Sequence, residues 1–439
     1  MSDSLDGTHD PDLRSWVESA NLANCDFPIQ NLAFGVFQSS GGPRVGVAIG
    51  DQVLDVGLCH QAGLFEDLAG EAAEECLGPV LNPLMALGPK HWSALRRRLS
   101  ELLRESSPQP DRRIARKFLF PMSQTRMLLP VEIGDFTDFY ASIYHATNVG
   151  SMFRPENPLL PNYKYLPVAY HGRASSVVVS GTSILRPSGQ IEDPSGQKPS
   201  FRPSERLDYE LEVGFFVGPG NSLGQPIRID EVKEHIFGLC LVNDWSARDI
   251  QKWEYQPLGP FLAKSFATTI SPWVVTMEAL TPFRVPTFRR PDADPRPLPY
   301  LESPEDAEHG GFDVTLEVLL SSRRMRDRGL GPIHVSRSNL RDMYWTPAQM
   351  ITHHSSNGCN LRPGDLIATG TVSGETKDSW GCLLELTRGG TDPIRLPNGE
   401  SRRFLHDGDE VIMQGYCGRE GFARIGCGES RGMVLEALE

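Results

Sequence analysis

LDYELEVGFF at residues 207–216 and LVNDWSARD at residues 241–249 are the stretches that decide the fold of the larger part of the chain. The first alternates polar and apolar residues, which is typical of a β-strand, and on a strand Glu210 and Glu212 point to the same face. The next two residues on that face are a glycine and a phenylalanine, so neither is basic. Two neighbouring carboxylates repel each other unless a positive group lies between them.

Two further carboxylates and a histidine fall in the same part of the chain, between Asp135 and Asp244. Asp138 and His145 lie in GDFTDFYASIYHATN at residues 134–148, and Asp244 ends the apolar run before Trp245. A hard divalent cation such as Ca²⁺ or Mg²⁺, bound through oxygen, would neutralise such a group. An exposed strand face with solvated charges explains the same spacing, and Asp244 could instead be a helix N-cap. The spacing alone leaves both interpretations open.

The composition is that of an ordinary soluble globular protein of roughly two to three domains, because the chain has 439 residues and ample apolar content. A net charge of −13 argues against nucleic acid as a partner. No apolar run approaches the roughly 18 residues of a membrane span, and the polar N-terminus is unlike a signal peptide. The eight scattered cysteines form no C-x-x-C pair, which favours free thiols in a reducing cytoplasm.

Residues 1–25 form a polar lead-in, with a short helix expected around residues 13–23. The next unit, residues 26–130, begins with two or three short strands separated by glycine turns at residues 41–43 and 50–51. Residues 66–105 then show helical periodicity, clearest from residue 91 to residue 103.

Two local features of residues 26–130 carry expectations of their own. The run Arg96-Arg97-Arg98 is followed by acidic residues and predicts a solvated helix face. The polar, proline-bearing segment 106–113 predicts a loop or linker.

Residues 131–439 are dominated by β-like runs bounded by Gly, Pro or Asp, so the protein is expected to be mainly β. Helical windows are fewer, at residues 245–255 and 339–353. The proline-rich segment 282–299 predicts an irregular surface excursion. On the first helix Arg248, Gln251 and Tyr255 would share a face that carries hydrogen-bond donors.

Three further residues have an ordinary and a functional interpretation. Lys264, in FLAKSFATTISPW at residues 261–273, either snorkels to solvent or faces the carboxylates, since an unpaired buried lysine is costly. Thr371 lies in a Gly/Ser/Thr-rich stretch that is a plain loop or presents a hydroxyl to a ligand. Glu385 is expected on an apolar strand, either solvated or buried against a partner such as His145.

Long segments resemble the fumarylacetoacetate hydrolase family from about Asp26 to the C-terminus. The segments are DFPIQNLAFGVF (26–37), IGDFTDFYASIYHATNVGSMFR (133–154), LPVAYHGRASSVVVSGT (166–182), VNDWSARDIQKWEYQPLGPFLAKSFATTISPWVV (242–275), MYWTPAQMITHHSSNGCNLRPGDLIATGT (343–371) and FLHDGDEVIMQGYC (404–417). The resemblance implies a small SH3-like N-terminal barrel over residues 26–130, a mixed β-sandwich roll over residues 131–439, and a homodimer.

The resemblance also implies the activity, which is hydrolysis of the C–C bond of 4-fumarylacetoacetate to fumarate and acetoacetate at the end of tyrosine and phenylalanine breakdown. It implies a Ca²⁺ site formed by Asp138, Glu210, Glu212 and Asp244. A neighbouring Mg²⁺ site would involve Asp244, Lys264 and Thr268. Because an ammonium is no cation ligand, Lys264 would offer its backbone carbonyl and keep its side chain for catalysis.

The same resemblance assigns the catalytic and substrate groups. His145 corresponds to the general base, Glu385 to the carboxylate that orients it, and Arg248, Gln251 and Lys264 to the donors that hold the oxyanion. The residues that correspond to substrate contacts are Tyr140, Arg154, Tyr170, Gln251, Tyr255 and Thr371.

These residue types suit hydrolysis of a β-diketone by water. A histidine held by a carboxylate can activate water, and cationic and amide donors can stabilise the tetrahedral oxyanion. A hard cation can chelate the diketone oxygens and stabilise the departing enolate. The main rivals are another reaction on the same scaffold, such as acylpyruvate hydrolysis, decarboxylation or isomerisation, and a catalytically inactive metal-stabilised binding protein. The latter is expected to lose the base or its orienting carboxylate, whereas both are present.

Overall fold

The computed structural model describes residues 5–193 and 198–438, so the parts of the domain predictions that fall on residues 1–4, 194–197 and 439 lie outside the described residues. The α-helices in the described ranges are α1 (Val56–Gln61), α2 (Asp67–Glu74), α3 (Asn82–Ala86), α4 (Pro89–Leu103), α5 (Gln109–Ala115), α6 (Ile143–Phe153), α7 (Arg248–Glu254), α8 (Pro304–His309), α9 (Arg323–Asp327), α10 (Pro347–Ser355) and α11 (Leu383–Leu386).

Strands outnumber helices, as expected for a mainly β protein. In chain order they are β1 (Phe34–Ser39), β2 (Gly42–Ile49), β3 (Gln52–Asp55), β4 (Leu119–Pro121), β5 (Arg126–Leu128), β6 (Phe136–Phe139), β7 (Ala169–Gly172), β8 (Val177–Val179), β9 (Ile184–Leu185), β10 (Ser188–Ile191), β11 (Ser200–Pro203), β12 (Leu207–Asp208), β13 (Leu211–Val217), β14 (Ile236–Asp244), β15 (Ser246–Ala247), β16 (Thr268–Ile270), β17 (Trp273–Thr276), β18 (Arg284–Val285), β19 (Gly311–Phe312), β20 (Thr315–Ser321), β21 (Ile333–Asn339), β22 (Leu366–Ala368), β23 (Ile394–Arg395), β24 (Ser401–Arg402), β25 (Glu410–Cys417) and β26 (Ile425–Leu435).

One mixed sheet contains both the N-terminal strands and the strands of the larger part. Its main order is β4-β3-β2-β1-β17-β14-β13-β22-β6-β7, with β5, β8 and β16 attached to it. A second sheet has the order β21-β20-β25-β26-β9. Among the described residues the N-terminal strands follow the order β5-β1-β2-β3-β4, and β4 does not pair with β5, so they form no closed barrel. Strand β1 also pairs with β17, which joins these strands to the larger part of the chain. The closed SH3-like barrel implied by the resemblance is therefore not confirmed.

The predicted glycine turn between β2 and β3 is present. Ile49 pairs with Gln52, so only Gly50 and Asp51 connect the two strands. Gly50 has a φ of +59°, a conformation that glycine adopts without the steric cost of a Cβ atom. This turn fixes the register in which the apolar side chains of both strands enter the core.

Each central strand presents alternate residues to two different cores. On β13 the odd-numbered Val213 and Phe215 enter the larger core, together with Leu316 of β20 in the second sheet. The even-numbered Phe216 enters the other core, which also contains the N-terminal strands and α4. Glu212 lies on this second face, because strand side chains alternate with a period of two.

Strands β6, β14 and β22 contribute to the same second face. Phe136, Val242 and Leu366 all belong to the core shared with the N-terminal layer. This face therefore begins beneath the N-terminal layer and continues along the strands to positions 138, 212 and 244.

Helix α4 confirms the clearest helical prediction and explains one that was wrong. Leu95, Leu99 and Leu102 form its fully buried stripe. Arg96 was expected on a solvated face but is only 2% exposed. Its guanidinium donates to the carbonyls of Gln30 and Asn31, 2.5 and 2.8 Å away, and so ties the helix to the segment before β1.

One other local prediction was wrong. Segment 106–113 was expected to be a loop or linker, but α5 begins at Gln109 with a proline in its first turn, where a missing N–H costs little. The short helix expected around residues 13–23 is present as a short 3₁₀ helix, Glu18–Asn21. The helical windows at 245–255 and 339–353 contain α7 and, from Pro347, α10.

All eight cysteines lie in the described residues and all are free. The helices of the described ranges include none that combines the length and the apolar character needed to cross a bilayer.

We expect Arg96→Met to lower the free energy of unfolding by about 2–4 kcal/mol, because it leaves buried carbonyls without their donor. The neighbouring Arg97 is exposed on the same helix, so Arg97→Met should change it by no more than about 0.5 kcal/mol. Urea unfolding of both variants measures the difference. Equal effects would contradict the structural role of Arg96.

Candidate active site

Four buried carboxylates meet at one end of the central sheet. Asp138 lies in β6, Glu210 immediately precedes β13, Glu212 lies within it, and Asp244 ends β14. One oxygen from each lies within 4.8 Å of the others. The backbone N–H of Asp244 donates to the carbonyl of Glu210 at 3.2 Å, which brings the two strands into this register. Since all four side chains are buried, a solvated strand face is the wrong interpretation.

Two basic side chains are buried within this carboxylate group. The Lys264 ammonium donates to Glu210 and, at 2.6 Å, to Asp244 Oδ2. Arg248 Nη1 lies 2.7 Å from Glu210 Oε1. Burial opposes ionisation of Glu210, but Lys264 and Arg248 hold its pKa below the ordinary value. Lys264 is 5% exposed, so it does not snorkel to solvent.

Glu212 and Asp138 have no such basic partner among the described residues. No hydrogen-bond donor in those ranges reaches either oxygen of Glu212 or Oδ1 of Asp138. Burial and the neighbouring carboxylates raise the pKa of both groups well above the ordinary values. A hard divalent cation fits this group, because it needs oxygen ligands and supplies the missing positive charge. The arrangement therefore suits a divalent metal site.

Asp244 is held on two sides. Thr268 Oγ1 donates to its Oδ1 at 3.0 Å, and Tyr170 Oη donates to its Oδ2 at 2.7 Å. The alternative that Asp244 caps a helix is wrong, because α7 begins at Arg248 and is preceded by Ala247. Asp244, Tyr170 and Thr268 thus belong to one buried cluster with Lys264.

His145 and Glu385 form a buried pair beside the carboxylates. His145 Nδ1 lies 2.7 Å from Glu385 Oε2, and His145 Nε2 lies 4.0 Å from Glu210 Oε1. Although burial disfavours the charged carboxylate, His145 holds the pKa of Glu385 below its ordinary value. An ionised carboxylate only accepts hydrogen bonds, so Nδ1 carries a proton and Nε2 faces the carboxylate group.

Local structure fixes both members of the pair. Ser142 caps α6 by accepting from the backbone N–H of His145 at 3.2 Å, which sets the histidine in the first turn. Glu385 was predicted on a strand, but it lies in the short helix α11. The prediction was wrong because LLEL is apolar enough for either structure.

Three donors that the sequence analysis missed also hold Glu385. Asn148 Nδ2 donates to Oε1 at 2.8 Å, Ser373 Oγ donates to Oε2 at 2.8 Å, and Cys382 Sγ lies 3.3 Å from Oε2. Asn148 stands three residues after His145, so the helical spacing contained a signal for it. Cys382 stands three residues before Glu385, but this spacing carried no signal because Glu385 was expected on a strand. Nothing local in the sequence points to Ser373.

Of the three residues predicted to form a donor face on α7, only Arg248 and Gln251 are in contact with each other. Arg248 Nη1 donates to Gln251 Oε1 at 3.2 Å, and Arg248 Nη2 is buried with no acceptor among the described residues. Tyr255 lies at the end of α7, where its hydroxyl accepts from Gln256 at 3.1 Å.

The other predicted substrate contacts differ in how close they lie to the His145–Glu385 pair. The ring of Tyr140 packs edge-on against that of His145, with centroids 5.2 Å apart. Thr371 Oγ1 is buried and has no hydrogen-bond partner in the described residues. Arg154 lies exposed at the end of α6, where its guanidinium donates to the carbonyl of Pro158 at 3.3 Å.

Asp208 is a fully buried carboxylate that the sequence analysis did not single out. Its Oδ2 accepts from Arg248 Nε at 2.9 Å, and its two oxygens also accept from the backbone N–H groups of Leu383 and Leu384. Asp208, Glu210 and Glu212 follow one another at spacing two, so the alternation that marked the second and third applied equally to the first.

The sequence matches known proteins over nearly its whole length. Family models described as fumarylacetoacetase N-terminal and fumarylacetoacetate (FAA) hydrolase C-terminal match residues 30–130 and 136–431. The fumarylacetoacetase of Homo sapiens is 52% identical over 419 residues, covering 94% of this chain and 97% of that protein. That of Oryza sativa subsp. japonica is 48% identical over 441 residues, covering 99% of each.

A solved structure shares the fold. The fumarylacetoacetate hydrolase from psychrophilic Exiguobacterium antarcticum matches with a TM-score of 0.51 at 17% identity, covering 92% of this chain and 99% of that chain. At this identity the likeness shows the fold alone.

We expect the chelator-treated protein to lose stability as the pH rises. Folding raises the pKa of Asp138 and Glu212, so their contribution is complete below the ordinary carboxyl pKa of about 4 and is lost as the pH rises through the raised values. Each group can contribute up to about 1.4 kcal/mol per pH unit. Urea unfolding between pH 5 and 8 measures this slope.

The variant Glu212→Gln is the control for this prediction. It removes one of the two charges, so the fall with pH should become shallower than in wild type, and saturating Ca²⁺ or Mg²⁺ should flatten the wild-type curve. A slope that neither the substitution nor the cation changes would contradict the assignment.

Proposed function

The chain belongs to the fumarylacetoacetate hydrolase family, and from that premise we propose that it hydrolyses 4-fumarylacetoacetate to fumarate and acetoacetate. The observation that carries the proposal is the His145–Glu385 pair, whose free imidazole nitrogen faces the buried carboxylate group. Water activation and charge stabilisation are thereby available at adjacent positions. The protein is a hydrolase that acts on a carbon–carbon bond.

His145 is proposed to act as the general base. Glu385 accepts the Nδ1 proton, so Nε2 has a lone pair that can take a proton from water. The water oxygen then attacks the substrate carbonyl, and the imidazolium formed is stabilised by the ionised Glu385. Collapse of the tetrahedral adduct then breaks the C–C bond, which leaves the carboxyl group of fumarate on the attacked carbon. The same nitrogen can return its proton to the carbon leaving group, which completes acetoacetate.

Arg248, Gln251 and Lys264 are proposed to hold the oxyanion that water attack creates. Arg248 Nη2 is the best placed by its own bonding, because it is buried and still has a hydrogen to donate. Donors of this kind typically contribute roughly 2.7–4 kcal/mol each to the transition state. The Lys264 ammonium, already among the carboxylates, keeps its charge because Asp244 and Glu210 raise its pKa despite burial.

We propose Ca²⁺ as the ion held by Asp138, Glu210, Glu212 and Asp244, and Mg²⁺ as a neighbouring ion near Asp244, Lys264 and Thr268. A hard cation held by these residues would supply Lewis-acid stabilisation of the negative charge that develops on substrate oxygens. Since the Lys264 ammonium pairs with carboxylates, only its backbone carbonyl is suited to ligation.

Tyr140, Arg154, Tyr170, Gln251, Tyr255 and Thr371 are proposed substrate contacts. Tyr140 and Thr371 are supported by their places beside His145 and in the buried interior. Arg154 is proposed to bind a carboxylate of the diketo diacid, since a guanidinium can bind it bidentately.

The finer architecture and the setting of the enzyme are further parts of the proposal. They are an SH3-like arrangement of the strands in residues 26–130, a catalytic roll over residues 131–439, and a homodimer with no nucleic-acid or membrane partner. Eight free cysteines support a reducing compartment, for which we propose the cytoplasm.

We expect His145→Gln to lower kcat by about 10²–10⁴-fold, because it removes the base. Glu385→Gln should also be severely impaired, since an amide can present its NH₂ group to Nδ1 and favour the wrong tautomer. KM should change far less, because neither residue is proposed to bind the ground state. Steady-state kinetics measures both parameters.

The matched control for the carboxylate is Glu400→Gln. Glu400 is also held by several donors, among them Ser322, Asn398 and Arg402, none of which is a proposed site residue. Its substitution should leave kcat near that of wild type. Near-normal turnover by His145→Gln would overturn the assignment of the base.

We expect wild-type protein to release fumarate and acetoacetate from fumarylacetoacetate. Neutral β-diketones should be cleaved with a far lower kcat and also with a higher KM. Remote carboxylate binding would position the reacting carbonyl, so its loss reduces the rate of the chemical step. Arg154→Met should narrow the gap between acidic and neutral substrates, whereas Arg113→Met, at an exposed arginine of α5, should not. Steady-state kinetics, with the products identified by NMR, compares the two substrate classes in the three proteins.

Two outcomes of this experiment would contradict the assignment. Equal cleavage of neutral diketones would overturn the proposed substrate. Turnover of an acylpyruvate with none of fumarylacetoacetate would favour another reaction on the same scaffold.

A further inference from the structure

We propose that Asp208 is a positioning residue that holds the Glu385 helix and the Arg248 guanidinium in one catalytic geometry. The inference rests on the proposed function, because it gives Asp208 its role through His145, Glu385 and Arg248. Asp208 ends β12 and is fully buried. Its side chain has no hydrogen bond to His145 or Glu385 among the described residues, so it would act on this pair through other residues.

The first part of the role concerns α11. Asp208 Oδ1 accepts from the backbone N–H of Leu383 at 2.8 Å, and Oδ2 accepts from that of Leu384 at 2.9 Å. These are the first N–H groups of α11, and the residue at its N-cap, Cys382, provides no side-chain cap. A single helical turn is unstable alone, so a carboxylate from a distant strand that satisfies its free N–H groups fixes where the turn forms.

The consequence for Glu385 is direct, because it is the residue after Leu384. Its Oε2 must lie within hydrogen-bond distance of His145 Nδ1, now 2.7 Å. A shift of α11 by even about 1 Å would lengthen that bond and release the imidazole from its orientation. Asp208 therefore governs the position of the orienting carboxylate from 177 residues away in sequence.

The second part of the role concerns Arg248. Asp208 Oδ2 accepts from its Nε at 2.9 Å, and Glu210 accepts from Nη1 at 2.7 Å. With these two edges of the planar guanidinium occupied, Nη2 is left with no acceptor among the described residues. The plane of the group is thereby fixed, and the donor that remains is the one proposed for the oxyanion.

Only a carboxylate can accept hydrogen bonds through both of its oxygens, as the contacts with α11 and Arg248 require. The backbone N–H groups of α11 and the Nε–H of Arg248 are all donors, so an asparagine at position 208 would turn an NH₂ group towards one of them. Asp208→Asn keeps the volume of the side chain but breaks one of its two links. The substitution therefore tests the hydrogen bonds of Asp208 without changing how the side chain packs.

The test measures kcat, KM and bound cation in Asp208→Asn. We expect kcat to fall on the order of 10–100-fold, as for other residues that orient active groups, with KM changed less than about threefold and cation content unchanged. In the double variant Asp208→Asn/Glu385→Gln the additional loss should be smaller than in the wild-type background, because part of the role acts through Glu385.

The matched control is Asp409→Asn. Asp409 is also fully buried, accepts from an arginine Nε, here of Arg402 at 2.7 Å, and accepts from a backbone N–H, that of His406 at 2.8 Å. It touches no proposed site residue, so its substitution should reduce stability comparably but leave kcat unchanged. A parallel fall of kcat in both variants would overturn the specific role of Asp208.

A second variant keeps the test decisive if Asp208→Asn does not fold. Asp208→Glu retains the charge and the acceptors but displaces them by one methylene group, so kcat should fall while cation content is retained. Unchanged kcat in a folded Asp208 variant would overturn this inference alone. Failure of the wild-type protein to form fumarate and acetoacetate would instead overturn the proposed function.

Discussion

The burial of three carboxylates at alternate positions from the end of β12 into β13, namely Asp208, Glu210 and Glu212, is the constraint on which the rest of the site depends. Removing an ionised group from water costs several kcal/mol unless a partner compensates. Asp208 is compensated by Arg248 and backbone N–H groups, and Glu210 by Arg248 and Lys264. Glu212 has no donor within the described ranges. Compensation thus decreases from Asp208 to Glu212, from hydrogen bonds and an ion pair to a position suited to a metal ion.

The position of this row follows from the organisation of the central sheet. Phe216 and Glu212 lie on the same face of β13, the first beneath the N-terminal layer and the second in the carboxylate group. The same relation joins Val242 to Asp244 on β14 and Phe136 to Asp138 on β6. The N-terminal layer contributes no proposed site residue. It covers the apolar end of the surface whose polar end performs the chemistry, and so fixes the strands that carry the ligands.

The sequence predicted features with local periodicity and missed those that depend on distant partners. The period of two placed Glu210 and Glu212 together, and the period of 3.6 placed α4. By contrast, the helix that carries Glu385 begins where Asp208, at the end of β12, accepts hydrogen bonds from its first N–H groups. No local sequence pattern reveals this contact. Arg96 was misjudged for the same reason, since its acceptors lie some 65 residues earlier in the chain.

Motif resemblance supplied what periodicity could not. It associated Glu385 with His145 across 240 residues, and the structure places the two side chains in contact. It did not draw attention to Asn148 or Ser373, because these residues serve the carboxylate rather than the substrate. Residues that hold other residues leave little trace in a single sequence, even where the spacing, as for Asn148, is compatible with the contact.

The pairing of β1 with β17 also bears on how the chain folds during synthesis. Strand β2 pairs with one edge of β1 along its whole length, and on the other edge β5 pairs with the residues from Val36 to Gln38 and β17 with Phe34 and Gly35. Ribosomes add about 5–20 residues per second, so this small sheet emerges on the order of 10–30 s before β17 does. An edge of two residues offers little to a neighbouring nascent chain. The later strands are therefore added to an edge that already exists, which reduces the entropic cost of joining segments more than 200 residues apart.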